Sequence, residues 1–250
     1  MAGPRQVTST ASVVLAPNPG PMTLDGTNTW VLRAPDSEAC VVIDPGPENA
    51  EHLAAVASCG PVATILLTHG HADHSEGARS FAALTGAAVR ALDPKHRLGD
   101  EGLGEGDVVA AAGLEIRVAA TPGHSADSLS FVLPDAVLTG DTILGRGTTV
   151  VSHPDGVLAD YLASLKRLQE LGDLAVLPGH GPELPSAGDA ATAYLAHREQ
   201  RLEQVRAAVA AGATSAQEVV EIVYADVDRV LWPAATMSVR AQLEHLKSAR

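Results

Sequence analysis

Ala63-Thr64-Ile65-Leu66-Leu67 runs straight into Thr68-His69-Gly70-His71-Ala72-Asp73-His74. The first five residues are mostly apolar and read as a strand. The following turn packs His69, His71, Asp73 and His74 into six positions. Helical and extended chains repeat their faces every 3.6 and 2 residues, so neither can aim all four side chains one way. A loop leaving the end of a strand can. Imidazole with carboxylate suits zinc, and equally iron, manganese or nickel. The lack of thiolate argues against a closed structural zinc site and for a catalytic one with an open position. Three of the ten histidines fall in this one stretch, which a chance surface loop would not produce.

Working outward, the same arrangement recurs. Residues 114–120 alternate as a strand and lead into Thr121-Pro122-Gly123-His124. Two short apolar runs at 129–133 and 136–139 flank Pro134-Asp135, and the second leads into Gly140-Asp141. Residues 174–177 lead into Pro178-Gly179-His180. Each of His124, Asp141 and His180 follows a glycine at a strand end, where backbone can pass close to a metal. Further strands are expected at 11–16, 28–32 and 39–43, the last stopped by Asp44-Pro45-Gly46-Pro47, and helices at 49–57, 76–85 and 158–171. Residues 1–10 are polar and read as frayed. Mixed strands and helices of this kind imply sheets covered by helices.

From about residue 188 the strand signals stop. An Ala-rich helix over 189–211, a capping box at Ser215-Ala216-Gln217-Glu218 opening a helix over 216–224, and a helix over 234–248 started by Pro233 make a helical appendage. The division is 1–187 for the catalytic unit and 188–250 for the helical one.

Composition restricts the partners. The formal charge is −13 and aromatic residues are 3% of the chain, which weakens nucleic acid as a partner and leaves few stacking platforms. Arg198, Arg201, Arg206, Arg229, Arg240, Lys247 and Arg250 are interleaved with acids, so the tail reads as a solvated mixed face, although some could turn toward the cleft. There is no signal-peptide-length apolar stretch near the start and no run of 18 apolar residues, so the expectation is a cytoplasmic protein with no membrane partner. Cys40 reads as a buried small hydrophobe and Cys59 as a residue near a loop.

The pattern His-x-His-x-Asp-His, then a distant His, an Asp and a last His, resembles the metallo-β-lactamase superfamily. Within it the chain is most similar to the β-lactamase-like protein 2 branch, through Asn18-Pro19-Gly20-Pro21-Met22-Thr23-Leu24, Gly26-Thr27-Asn28-Thr29-Trp30, Ile43-Asp44-Pro45-Gly46, Thr121-Pro122-Gly123-His124, Gly140-Asp141-Thr142-Ile143-Leu144-Gly145, Pro178-Gly179-His180-Gly181-Pro182 and His197-Arg198. The resemblance implies a four-layer αββα sandwich of α/β class with a small C-terminal helical domain. It implies two zinc ions, with iron or manganese as substitutes. His69, His71 and His124 would hold the first, Asp73, His74 and His180 the second, and Asp141 would bridge them. A hydroxide shared by the ions would then attack an ester-like, thioester, lactam or phosphodiester bond, with Asp73 orienting it. Asp44 is a candidate acceptor for a ligand imidazole N–H, and equally a turn former. Thr27, Asn28, Arg146, Thr148 and Thr149 resemble the substrate-facing rim. Gly70, where many relatives carry a larger residue, and Glu76, in place of a glycine, depart from the pattern without removing a ligand. A small acyl substrate is the first expectation; single-stranded RNA cleavage, as the branch implies, is the alternative, and a non-catalytic metal-binding scaffold is a third.

Overall fold

The computed structural model describes residues 3–99 and 101–248; Arg250 lies outside them. Strands β1 (Arg5–Gln6), β2 (Ala11–Leu15), β3 (Asn28–Leu32), β4 (Cys40–Ile43), β5 (Val62–Leu66) and β6 (Val89–Arg90) form one sheet in that order. Strands β7 (Val108–Ala111), β8 (Leu114–Ala120), β9 (Leu129–Val132), β10 (Ala136–Gly140) and β11 (Ala175–Pro178) form the second, ordered β11-β10-β9-β8-β7. Each sheet is antiparallel at one side and parallel at the other: β4, β5 and β6 in the first, β10 and β11 in the second. Parallel neighbours need a crossover. Helix α1 (Ala50–Ala57), capped by the Asn49 side chain, supplies it between β4 and β5, and α4 (Leu158–Gln169) supplies it between β10 and β11.

Period-two alternation builds the layers. Along β2 to β5, Ala11, Val13, Trp30, Leu32, Val41, Ile43 and Leu66 face the second sheet and meet Ile116, Val118, Leu129, Phe131, Ala136, Leu138 and Leu177. The intervening Val14, Val31, Cys40, Val42, Ile65 and Leu67 face outward onto α1 and α3 (Ala78–Thr85). Val137 and Val176 point away from the first sheet onto α4 and the start of α5 (Ala187–Ala210). Strands buried on both faces are therefore apolar at nearly every position. Four layers result, αββα, with the main core between the sheets.

Some expectations need correction. Residues 5–6 are not frayed: they pair antiparallel with β2. The helix expected over 76–85 is α3, which starts two residues later, at Ala78. A short α2 (Ala72–Ser75) precedes α3, because Gly77 donates to the Gly46 carbonyl at 2.9 Å where the chain passes under the Asp44–Pro47 turn. Cys40 and Cys59 are free thiols.

The tail continues from the outer layer. Ala187, Ala191 and Tyr194 at the start of α5 pack in the α4 core, while Val205 and Ala208 further along pack against α6 (Ala216–Val223) and α7 (Trp232–Ser248). Ser215 and Glu218 form a reciprocal capping box on α6. Pro233 sits in the first turn of α7 rather than before it. Among the described residues no helix is long and apolar enough to cross a membrane.

Candidate metal centre

The two sheets meet at one edge, and backbone hydrogen bonds stitch that edge together. Leu129 N donates to Thr68 O at 2.7 Å, Asn28 N to Gly179 O at 2.8 Å, and Gly179 N to Gly140 O at 2.8 Å. The loops after β5, β8, β10 and β11 therefore leave the sandwich side by side. The side chains of His69, His71, Asp73, His74, His124, Asp141 and His180 converge there.

They fall into two groups. His69 Nε2 lies 3.1 Å from His71 Nδ1, which lies 3.0 Å from His124 Nε2. In the other group His180 Nε2 lies 3.1 Å from His74 Nε2 and 3.1 Å from Asp73 Oδ2. Asp141 stands between them. Its Oδ2 lies 3.7 Å from His124 Nε2, while its Oδ1 lies 3.3 Å from His74 Nε2 and 3.4 Å from His180 Nε2. Oδ1 is buried without a hydrogen bond of good geometry. Gly179 makes this approach possible: a Cβ there would sit 2.5 Å from Asp141 Oδ1 and 2.7 Å from His74 Cε1.

The outward ring nitrogens explain why the inward ones are free. His74 Nδ1 donates to Asp44 Oδ2 at 2.8 Å, His124 Nδ1 to Val150 O at 2.7 Å, and His180 Nδ1 to Gly26 O at 3.2 Å. Asp44 also accepts from Thr68 N–H at 2.8 Å and from the Thr68 hydroxyl at 2.6 Å. With its proton committed, the Thr68 oxygen can only accept from His69 Nδ1, 3.0 Å away. Each outer bond fixes a tautomer and leaves a lone pair facing the centre. Asp44 thus braces two rings from one buried carboxylate, at a φ of +50° that side chains rarely adopt.

Electrostatics differ between the groups. Burial, then the neighbouring His74, pulls His69 well below its ordinary pKa, and burial lowers His124. Burial also opposes charge on His74 and His180, but Asp141 together with Asp44 holds His74 well above the usual range, and Asp141 with Asp73 lifts His180 to about 9. Asp141 stays well below the usual carboxylate range despite burial, because His180 and His74 face it. Burial thus favours the neutral form of His69 and His124, while the carboxylates beside His74 and His180 favour positive charge there. Six terminal donors, one carboxylate between them and an orphaned buried oxygen fit divalent cations of the zinc, iron or manganese kind.

A cavity of about 310 Å³ opens beside His124 and Asp141 and runs under the tail, with Leu144, Val227 and Leu231 among its apolar walls. Arg146, Thr148 and Thr149 line it as the family pattern implies. Thr27 and Asn28 do not. Both are buried: Asn28 Nδ2 donates to Pro178 O at 3.0 Å and Gly181 O at 2.8 Å, and Thr27 bonds Asn18, so they brace the β11 loop. Arg198 and Arg201 line the cavity, contrary to a wholly solvated tail. Their spacing put them on one helical face, but nothing local said which way that face turned.

Residues 22–180 match the model of the metallo-beta-lactamase superfamily, and residues 215–249 that of the beta-lactamase associated winged helix domain. A beta-lactamase-like protein 2 homolog of Caenorhabditis elegans is 32% identical over 93% of this chain and 82% of its own length. An atrochrysone carboxyl ACP thioesterase of Aspergillus fumigatus is 35% identical over 77% of this chain; the match spans 62% of that protein. A metallo-beta-lactamase family protein of Thermus thermophilus superposes with a TM-score of 0.81 at 23% identity, over 96% of this chain and 94% of that one. With its His- and Asp-bearing segments at the meeting edge of an αββα sandwich, the chain belongs to the metallo-beta-lactamase superfamily.

Proposed function

We propose that the chain is a binuclear metal-dependent hydrolase, loaded with two zinc ions and acting in the cytoplasm on the ester or thioester bond of a small acyl substrate. The observation that carries this reading is Asp141, whose two oxygens face two different sets of donors. His69, His71 and His124 would hold one ion, Asp73, His74 and His180 the other, and Asp141 both. When bound, such ions supply Lewis acidity and lower the pKa of water from about 15.7 toward about 7.

The remaining work falls to the chain. Asp73 is partly exposed, and although burial favours its neutral form, His180 and His74 keep it ionised. It can accept a proton from the attacking water and orient it. Asp44 and Thr68 hold His74 and His69 in one geometry. The apolar walls seat the acyl chain and exclude bulk water. No serine nucleophile is needed: the Ser125 hydroxyl donates to Asp127 at 2.8 Å within its own loop. The thioesterase relative supports acyl chemistry. In this reading residues 1–187 form the catalytic unit and 188–250 the helical unit that shapes the cavity. A second reading, cleavage of single-stranded RNA, draws on Arg198 and Arg201 in that cavity.

A panel of thioester, lactam, phosphodiester and single-stranded RNA substrates, run with metal-loaded and chelator-stripped protein, tests the choice. Thioester turnover that vanishes on stripping is expected. Turnover confined to RNA would favour the second reading, and equal turnover after stripping would end both.

A further inference from the structure

The cationic residues of this acidic chain are distributed in an unexpected way. Arg5, Arg146, Arg167 and Arg206 have side chains 57%, 51%, 47% and 55% exposed, and each holds a carboxylate. Water already screens such charges, so these pairs contribute little. Arg198 is only 3% exposed, and among the described residues no carboxylate lies within ion-pair distance of it. Its Nη2 donates to the Thr149 carbonyl, its Cζ lies 5.0 Å from the centre of the Tyr161 ring, and its Nε is buried with no partner. A carbonyl and a ring face offset only part of the desolvation of a guanidinium, and an unpaired buried charge is strongly unfavourable. This is the reverse of a stabilising arrangement.

Arg201, one helical turn along α5, repeats the theme. It donates to Val223 O at 2.8 Å and to Gln204 Oε1 at 3.1 Å, lies over Tyr224 at 4.6 Å, and has no carboxylate partner among the described residues. Both arginines line the cavity beside the metal centre, where the one lining carboxylate is Asp141. Arg146 is neutralised by Asp25, and burial and the two arginines keep His197 below its ordinary pKa. In a chain of net charge −13, the α5 wall of the cavity therefore carries two guanidinium groups with no carboxylate partner among the described residues.

We propose that Arg198 and Arg201 form an oxyanion-binding subsite that takes a carboxylate or phosphate group on a small substrate, on the α5 side of the cavity. This rests on the acyl-hydrolase reading for which bond is cut. Leu144, Val227 and Leu231 line the same cavity and suit a short hydrocarbon stretch. A space of about 310 Å³ suits one small molecule with an anionic end, not the repeating phosphates of a polymer.

Binding to chelator-stripped protein tests the subsite independently of turnover. Valerate and propyl phosphate are titrated against valeramide, the uncharged counterpart of valerate. At least one anion should bind roughly tenfold tighter than valeramide, as expected of a charge-assisted pair, and the better of the two identifies the anion. Arg201→Gln should erase that preference. Arg198→Gln should do the same, and if it fails to fold, Arg198→Lys and Arg201→Gln still decide: Lys should retain part of the preference. In the metal-loaded enzyme, the kcat/KM ratio of mono-4-nitrophenyl glutarate to 4-nitrophenyl valerate should be about ten or more and fall toward one in Arg201→Gln. Anion preference without ester turnover would keep the subsite and sink the hydrolase reading. Turnover of both esters at equal rates, with no anion preference, would sink the subsite alone. Anion preference that survives Arg201→Gln, or a short single-stranded RNA that displaces propyl phosphate and binds more than tenfold tighter, would overturn the assignment.

Discussion

The floor and the wall of the cavity are built on opposite principles. On the floor the candidate ligands sit in the segments that follow strand ends, Asp73 and His74 on the short α2, and Asp44, Thr68, Val150 and Gly26 occupy the outward nitrogens of the buried rings. Little can move without a buried bond being lost. The helical wall is largely apolar and holds Arg198 and Arg201 with carbonyls and aromatic faces rather than with counterions. The difference teaches where selectivity resides. A floor this constrained prescribes how water is activated; the wall is free to prescribe which molecule is held. Substitutions in the floor should therefore change metal content and turnover together, and substitutions in the wall should change KM alone.

The largest effect is expected at Asp141, the one floor residue shared by both donor groups. Asp141→Ala leaves two sets of donors with less negative charge between them. Losing one partner of a buried charged cluster typically costs about 3–5 kcal/mol. Bound metal, measured by elemental analysis after dialysis, should fall from about two ions per chain to one or fewer, and kcat/KM should drop by roughly 10²-fold or more. Normal metal content and rate in this variant would remove the bridge from the site.

Asp44→Asn attacks the floor from behind the ligand rings. The amide keeps one acceptor oxygen but sets an NH2 group against donors that now point at a carboxylate, either Thr68 N–H or the Thr68 hydroxyl and His74 Nδ1–H. Metal affinity should fall about 10- to 100-fold, the usual range for partners that orient metal-binding rings. A competition titration with a chromogenic chelator reads this directly. Unchanged affinity would reduce Asp44 to a turn former.

The floor was legible in the sequence and the wall was not, for physical reasons. Dense His and Asp spacing at the ends of apolar runs is local information, and the sandwich simply brings those ends to one edge. Strands β1 and β6 escaped notice because two residues carry no alternation, and β7, Val108–Ala111, because its small apolar residues read equally as loop. Asn28 is expected at the rim because its neighbours resemble rim residues; its burial depends on Pro178 and Gly181, 150 and 153 positions away. Arg198 sits in a run of mixed charge, and its burial is set by Thr149 and Tyr161 from other parts of the chain.

A charge placed in the wall tests the other side of the comparison. Leu231→Asp puts a carboxylate on a half-buried lining position at the end of the 3-10 turn Arg229–Leu231, just before α7. KM for an acyl ester should rise about tenfold, in keeping with the ~1–3 kcal/mol that pocket contacts contribute to substrate selection. Metal content should stay at the wild-type value, and kcat should change little. Loss of metal in this variant would mean that wall and floor are coupled more tightly than their contacts indicate.

The smallest effect is expected at Gly70, inside the ligand motif itself. The family resemblance leads one to expect a larger residue there, which makes glycine look like a weakness of the floor. The structure gives another reason for it: a Cβ at this position would run into the His96 ring, with Asp127 Oδ2 at 3.1 Å. His96 ends a 3-10 turn over Pro94–His96 and is only partly buried, so its ring can swing aside without loss of a buried bond. Gly70 has no positive φ to strain an added side chain. Gly70→Ala should therefore cost no more than about 1 kcal/mol, the size of an ordinary substitution, with two ions retained and kcat/KM within about twofold of wild type. His96→Ala in the same background should bring any residual deficit back to the wild-type value, since it removes the colliding ring. If Gly70→Ala instead sheds metal and His96→Ala fails to restore it, the backbone at position 70 itself sets the aim of His69 and His71, and the floor is tighter still than its hydrogen bonds indicate.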